Sequence, residues 1–293
     1  MIGTEVLDPI GAALGDRVVR AARAPGAGSI NDAWRVELAS GTTAFVKTRS
    51  GSTGVEFEAE AAGLRWLAEA GAVRVPAVLA VGTEPGWLAL EWVEPGAAGA
   101  GAAEDLGRRL ALLHDAGANA HGALPPGSPD QVLRIGPLEL ACGPTDSWPR
   151  FYAERLLAPL ANRARDNGSL SPSDAAAVAG VCARIEELAG PGEAPGRLHG
   201  DLWSGNVYSD AAGRPWLIDP AAYGGHREVD LAMLRLFGSP GDRLFAAYEE
   251  VHPLADGHAE RVELWQLFPL LVHAVLFGGS YGASAGRAAR RYS

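Results

Sequence analysis

Residues His199-Gly200-Asp201-Leu202-Trp203-Ser204-Gly205-Asn206 constrain this chain more than any other stretch. Asp201 and Asn206 stand five apart in a turn that contains glycine. A strand pattern follows over Val207, Tyr208 and Ser209, then a turn from Asp210 to Arg214, then a second strand from Pro215 to Ile218. Two short β patterns around a turn predict a hairpin that returns Asp219 beside Asn206. Two carboxylates and an amide oxygen gathered in this way suit phosphoryl transfer from a nucleotide. One aspartate would orient a hydroxyl and receive its proton, and an Asn/Asp pair would hold Mg²⁺. Read alone, the same letters also describe a surface hairpin with solvated carboxylates, so the weight falls on residues far from it.

The whole chain sets limits first. At 293 residues it is one large domain or two modest ones. With 25 basic and 35 acidic residues the net charge is −10, which argues against non-specific nucleic-acid binding but not against a nucleotide. Cys142 and Cys182 lie far apart and form no C-x-x-C, which points to a reduced, cytoplasmic setting. The first fourteen residues include Glu5 and Asp8 and lack a basic start, so no signal peptide is read there. The apolar run from Leu264 to Phe277 is interrupted by Gln266, Pro269 and His273. It predicts a core helix rather than a membrane span.

One compositional fact points at a site. Lys47 is the only lysine; the other 24 basic residues are arginine. GC-rich coding bias explains such a ratio, and so does a position that needs a compact ammonium. The surroundings favour the second. Strand patterns over Arg17–Ala22, Ala33–Leu38 and Thr43–Lys47 flank a turn, Gly26-Ala27-Gly28-Ser29-Ile30-Asn31. A strand–glycine loop–strand lays backbone N–H groups over nucleotide phosphates. A dinucleotide fingerprint fails, because Asn31 replaces its last glycine and a strand follows where a helix is needed. A P-loop fails for want of a Gly-Lys pair. Val55 to Ala70 reads as a helix closed by Gly71, with Phe57, Ala61, Leu64 and Ala68 at helical spacing. That spacing turns Glu60 inward, where a carboxylate requires a partner. Lys47 on the preceding strand is the candidate.

Strands over Val78–Val81 and Trp87–Val93 complete the first part, after a short helix begun at Asp8-Pro9. Residues 94–101 (Glu-Pro-Gly-Ala-Ala-Gly-Ala-Gly) read as a flexible linker. At its start, the backbone of Glu91 and Val93 is placed to bind adenine. From Ala103 the chain turns mainly helical, with loops at 124–129, 137–149 and 220–226. Helices are read over Leu106–His114, Ser147–Leu160, Pro172–Leu188 and Arg227–Phe237. Two more complete the chain, the last kinked at Pro269, before a mobile tail over 282–293. Asp230 suits either its helix dipole or the bracing of the catalytic turn. His199 reads as a backbone brace, because Asp201 is better placed as base. Trp203 can stack on a sugar-like substrate or pack inward. Gly282-Ala283-Ser284-Ala285-Gly286 matches G-x-S-x-G, but only seven residues follow and none is the acid or histidine a hydrolase needs. The seven histidines show no zinc spacing.

With these residues assembled, the chain resembles the fructosamine kinase (ketosamine-3-kinase) family within the aminoglycoside-phosphotransferase-like kinases. The likeness is carried by 26–31, Phe45-Val46-Lys47, Phe57-Glu58-Ala59-Glu60 and, most specifically, 198–207 and 218–232. The late stretches 266–273 and 276–281 add to it. The resemblance implies an α+β, bilobal, protein-kinase-like fold. Its small antiparallel-sheet lobe with one helix would span 1–93, a hinge 94–101, and a larger, mainly helical catalytic and acceptor lobe 102–293. It implies ATP and Mg²⁺, with transfer to the third hydroxyl of a sugar attached to an amine, after which the adduct breaks down. The acceptor would be a small or protein-bound glycated amine, with neither nucleic acid nor membrane as partner. In this reading Asp201 is the base and Asn206 and Asp219 hold the metal. Gly26, Gly28, Ser29, Asn31, Lys47, Glu60, Glu91 and Val93 bind the nucleotide. Trp203, Tyr223 and His273 line the acceptor pocket. Many relatives carry a cysteine in the glycine loop; Ser29 stands there, so redox control through that loop is not expected. A kinase for another small alcohol, of the aminoglycoside or amino-alcohol type, and a nucleotide-binding pseudokinase are the alternatives.

Overall fold

The computed structural model describes residues 2–24, 31–238 and 241–292. Two compact units are present. The first comprises Met1–Ala102, Pro125–Asp130 and Tyr208–Pro220; the second comprises Ala103–Leu124, Gln131–Val207 and Ala221–Ser293.

The first unit opens with helix α1 (Thr4–Ala13), which starts four residues before the expected Asp8 and carries Pro9 within it. Glu5 in its first turn faces the positive end of the helix dipole. Strands β1 (Val18–Arg23), β2 (Asp32–Leu38) and β3 (Thr43–Thr48) follow, then helix α2 (Val55–Glu69), then β4 (Val78–Thr83) and β5 (Gly86–Glu91). The sheet order is β1-β2-β3-β5-β4, antiparallel throughout. Side chains alternate across a strand. Trp34, Val36 and Leu38 of β2, Ala44 and Val46 of β3 and Trp87 and Ala89 of β5 therefore meet on one face, where Ile10 of α1 joins them. Lys47 is out of phase with that set. Helix α2, packed along β4 and β5, buries Phe57, Ala61, Leu64 and Leu67.

The second unit begins at helix α3 (Ala102–Asp115). Residues 132–141, of which 137–141 are expected as loop, form a hairpin of β6 (Val132–Ile135) and β7 (Leu138–Ala141). Leu133, Ile135, Leu138 and Leu140 are its buried face. Helix α4 (Trp148–Phe151) is capped by the Ser147 hydroxyl, which accepts from Arg150 N. It runs through a π-helical turn, Tyr152–Leu157, into α5 (Ala158–Asp166). Ser171 caps α6 (Pro172–Ala183), and α7 (Ile185–Leu188) leads towards strand β8 (Gly196–Leu198). The turn that begins at His199 ends in a 3₁₀ turn at Ser204–Asn206. The expected hairpin, which from Tyr208 onward belongs to the first unit, follows as β9 (Val207–Ser209) and β10 (Pro215–Leu217). Strand β11 (Tyr223–Gly225), expected as loop, pairs antiparallel with β8, Tyr223 opposite Leu198. Helices α8 (Glu228–Leu236), α9 (Asp242–Val251), α10 (His258–Phe277) and α11 (Tyr281–Arg290) complete the chain.

Two expectations about flexibility are corrected. The glycine-rich linker is fastened along the β9–β10 hairpin: Gly96 N donates to Ser209 O (2.9 Å), Gly99 N donates to Gly213 O (2.9 Å), and Pro95 bridges to Asp210. The tail is helix α11, not a mobile end. Its small residues Gly282, Ala285, Gly286, Ala288 and Ala289 are buried, and it packs against α6 and α10. Tyr292 Oη accepts Leu264 N at 3.1 Å, and Arg184 Nη1 donates to Tyr292 O at 3.0 Å. Small residues carry little hydrophobic signal, so a close helix contact of this kind is silent in a sequence pattern. The G-x-S-x-G letters lie in α11, with helix before them rather than strand.

Candidate active site

Within the first unit, the lone ammonium meets two carboxylates. Lys47 Nζ lies 2.7 Å from Glu60 Oε1 and 2.6 Å from Asp219 Oδ1, and its side chain is 6% exposed. The sheet phase aims Lys47 towards this cluster, and the helix phase of α2 turns Glu60 to it. Asp219 arrives on the segment after β10, which is held by the bond from Leu217 N to Arg74 O (2.8 Å). Asp219 has φ +56°, the one non-glycine residue among those described in the left-handed region. Aspartate tolerates that region better than most side chains, and residues held there cluster at functional sites. Burial alone would push the Lys47 ammonium down; the charges of Asp219 and Glu60 outweigh it and hold its pKa above the usual lysine range. Burial pushes the Glu60 carboxyl up, against the pull of Lys47 and with the added repulsion of Asp219. One ammonium thus serves two anions. Asp219, with a side chain 47% exposed, is the one open to solvent.

Within the second unit, the His199–Asn206 turn is pinned from beneath. Asp230 of α8, 1% exposed, accepts His199 N at 2.8 Å and Gly200 N at 3.0 Å. His114 of α3 lies 3.2 Å from the same carboxylate through Nε2, and its Nδ1 is 2.8 Å from Tyr248 Oη. A carboxylate only accepts, so Nε2 carries a hydrogen. Burial raises the Asp230 carboxyl; the His114 bond and the His199 N–H outweigh it and hold the pKa below the usual aspartate range. His199 Nδ1 accepts Asp201 N at 3.3 Å, as expected of a backbone brace. Gly200 has φ +82°, and a Cβ there would lie 1.9 Å from Ala221 O, so no other residue fits. Asn206 Nδ2 donates to Asp201 O (2.8 Å) and Asp201 Oδ2 (3.0 Å). Both bonds use the amide nitrogen, which leaves Asn206 Oδ1 as the acceptor atom.

Asp230→Ala should therefore strip two buried N–H groups of their acceptor, at about 1–3 kcal/mol each. We expect about 3 kcal/mol of lost stability in urea unfolding; a loss under about 1 kcal/mol would refute the brace. Its depressed pKa contributes stability that is fully present above the unfolded value, near pH 4, and lost as pH falls through the lower folded value.

Among the described residues no three His, Cys, Asp or Glu side chains form a metal cluster. Each unit by itself offers an oxygen donor of the kind Mg²⁺ takes beside phosphate and water: the Asp219 carboxylate in the first and Asn206 Oδ1 in the second.

The other candidates fall in different places. Gly26, Gly28 and Ser29 lie outside the described residues; Asn31 is half-buried, just before β2. Glu91 ends β5, its N–H donating to Ala77 O, and Val93 opens the linker. Trp203, 39% exposed, and His273 belong to one aromatic group. Trp203 stands edge-on to Phe237 at 6.5 Å, and His273 lies 4.4 Å from Phe237 and 5.0 Å from Tyr281. Tyr223 is a correction. It is fully buried in the second unit's core against Phe151, out of reach of a sugar. All three residues of strand β11 are buried, and an isolated three-residue strand cannot be phased from sequence. Phe237, Tyr281, His114 and Tyr248 carry no functional reading in the sequence analysis. A histidine three residues behind Ala111 on the face of Leu106, Leu110 and Leu113 was the available signal for His114.

A buried Lys–Glu pair with a facing aspartate in the first unit, and a braced D-x-x-x-x-N turn in the second, are each features expected of a protein-kinase-like phosphotransferase. A choline kinase of Streptococcus pneumoniae shares that fold, with a TM-score of 0.64 and 14% identity over 98% of this chain and 96% of its own. The family model described as fructosamine kinase matches residues 6–292, and the chain belongs to that family. A Thermobifida fusca protein assigned as a fructosamine-3-kinase is 42% identical, with a TM-score of 0.87, over 99% of this chain and 100% of its own. The chloroplastic protein-ribulosamine 3-kinase of Arabidopsis thaliana is 34% identical over 89% of this chain and 78% of its own. No helix among the described residues is long and apolar enough to cross a membrane.

Proposed function

We propose that this protein is an ATP-dependent ketosamine kinase that phosphorylates the third hydroxyl of a sugar joined to an amine. The observation that carries the reading is Lys47, the sole lysine, buried between Glu60 and Asp219 in a member of the fructosamine kinase family. In this reading the two sets of side chains serve one reaction. Asp201 orients the sugar hydroxyl and takes its proton as the oxygen bonds to the γ-phosphorus. The bond from that phosphorus to the β–γ bridging oxygen breaks, and ADP leaves with its electrons. Lys47, held by Glu60, positions the phosphates together with Gly26, Gly28, Ser29 and Asn31, while Glu91 and Val93 receive the adenine. Asn206 and Asp219 would hold Mg²⁺, which when bound offsets the charge of the phosphates.

Trp203 and His273 belong to the acceptor side. His273 Nδ1 lies 2.8 Å from Pro269 O, so it donates there, and burial pushes the imidazolium pKa down. The neutral ring then offers bare Nε2 to a sugar hydroxyl, beside the Trp203 ring. The reading includes a cytoplasmic location, in keeping with free Cys142 and Cys182, and breakdown of the phosphorylated adduct to free the amine.

Incubation with ATP and, side by side, fructosylated lysine, ribosylated lysine, an aminoglycoside and choline tests it. Phosphate found on O3 of a ketosamine by ³¹P NMR is the expected result. Turnover confined to the other alcohols, or ATP binding with no turnover at all, would replace the reading by one of the alternatives.

A further inference from the structure

Tyr208, on β9, donates from Oη to the carbonyl of Val93 at 3.2 Å. Both residues belong to the first unit, and both are fixed. Gly96 N donates to Ser209 O and Pro95 bridges to Asp210, so the linker and the hairpin are stitched together just beyond the contact. On the other side Glu91 is held twice to Ala77: its N–H donates to Ala77 O (2.8 Å), and its carboxylate accepts Ala77 N (3.2 Å). The Asp210 carboxylate keeps the hairpin turn in shape. It accepts Ala212 N, Arg214 N and the Trp216 indole, and these bonds outweigh burial to bring its pKa down to about 2. Strand pairing ends at Glu91, and among the described residues the Val93 N–H has no hydrogen-bond acceptor. The backbone at Val93 is therefore a rigid edge whose N–H is open and whose C=O is already engaged.

We infer that Tyr208 is a specificity-determining residue that selects adenine over guanine nucleotides. The inference rests on the kinase reading above and on base binding at Glu91–Val93. Adenine offers N1 as an acceptor, which the open Val93 N–H satisfies. Guanine offers N1–H and N2–H as donors, which cannot face that N–H. Guanine pairs with the same edge only by sliding so that O6 takes the Val93 N–H and N1–H seeks the Val93 C=O. The Tyr208 hydroxyl already occupies that carbonyl. A carbonyl has two lone pairs, so the second bond is weakened rather than forbidden. The selectivity contributed is therefore moderate.

The test is Tyr208→Phe, which deletes the hydroxyl alone. The ratio of kcat/KM for ATP to that for GTP should fall about fivefold or more, through a rise in the GTP value. Calorimetry with ADP and GDP reads the same change without turnover. Tyr208→Leu, which also lacks the hydroxyl, should move the ratio in the same direction and serves if the first variant folds poorly. A wild type that binds ADP, with variants whose ADP-to-GDP ratio stays within twofold of it, would overturn the inference and leave the kinase reading standing. A wild type that binds neither ADP nor GDP would overturn both.

Discussion

Asp201→Asn is expected to lower kcat by about 10²–10⁴-fold, the range general-base removal produces, or about 3–5 kcal/mol of barrier. The substitution is close to isosteric. Its amide oxygen can still accept from Asn206 Nδ2, which lies 3.0 Å from Asp201 Oδ2 in the wild type. The turn keeps its other supports, from His199 N and Gly200 N to Asp230. The loss should therefore fall on kcat far more than on KM for either substrate, with little change in thermal unfolding. Steady-state kinetics with a fructosylated amine measures it. Activity within about tenfold of wild type would mean that the hydroxyl proton leaves by another route.

Lys47→Met should be comparably severe for a different reason. The wild-type ammonium balances Glu60 and Asp219 at 2.7 and 2.6 Å, and it is the single lysine of the chain. Without it two carboxylates share a mostly buried site, and Glu60, already pushed up by burial, is driven further towards its neutral form. On the proposed kinase reading, phosphate positioning is lost at the same time. We expect a fall of about 10²–10³-fold in kcat/KM for ATP, the size seen on removing one preorganised electrostatic contact. Lys47→Arg should not restore it beyond about a tenth of wild type. A planar guanidinium cannot occupy the place of a compact ammonium pinched between two carboxylates. Recovery to half of wild-type activity by arginine would show that charge alone, rather than shape, sets the requirement.

Each layer of the structure was legible to a different depth. Apolar strand patterns between turn residues placed the five strands of the first unit to within a few residues, and period-3.6 spacing placed α2 and turned Glu60 inward. Both work because a half-buried strand or helix must put its apolar residues on one side. The short elements escaped. Strand β11 and the β6–β7 hairpin are three or four residues each, too short to show a period, and so Tyr223 was assigned to a pocket when it belongs to the core. The linker and the tail escaped because glycine and alanine give no hydropathy contrast. What they do depends on the surface they meet.

The residues by themselves determined which chemical groups are on hand: one lysine, an aspartate and an asparagine five apart, a second aspartate after a hairpin, and a glutamate on the inward face of a helix. Side-chain type and local spacing are properties of the chain, and they limit what reaction it can run. Tertiary structure alone decided which groups touch. Lys47 reaches Asp219 across 172 positions, Asp230 takes two N–H groups from a turn some 30 residues away, and Tyr208 closes on a carbonyl 115 residues before it. Such contacts are set by how the cores pack, since a buried charge or donor must find whichever partner the packing brings within about 3 Å. No local preference of the chain encodes that choice.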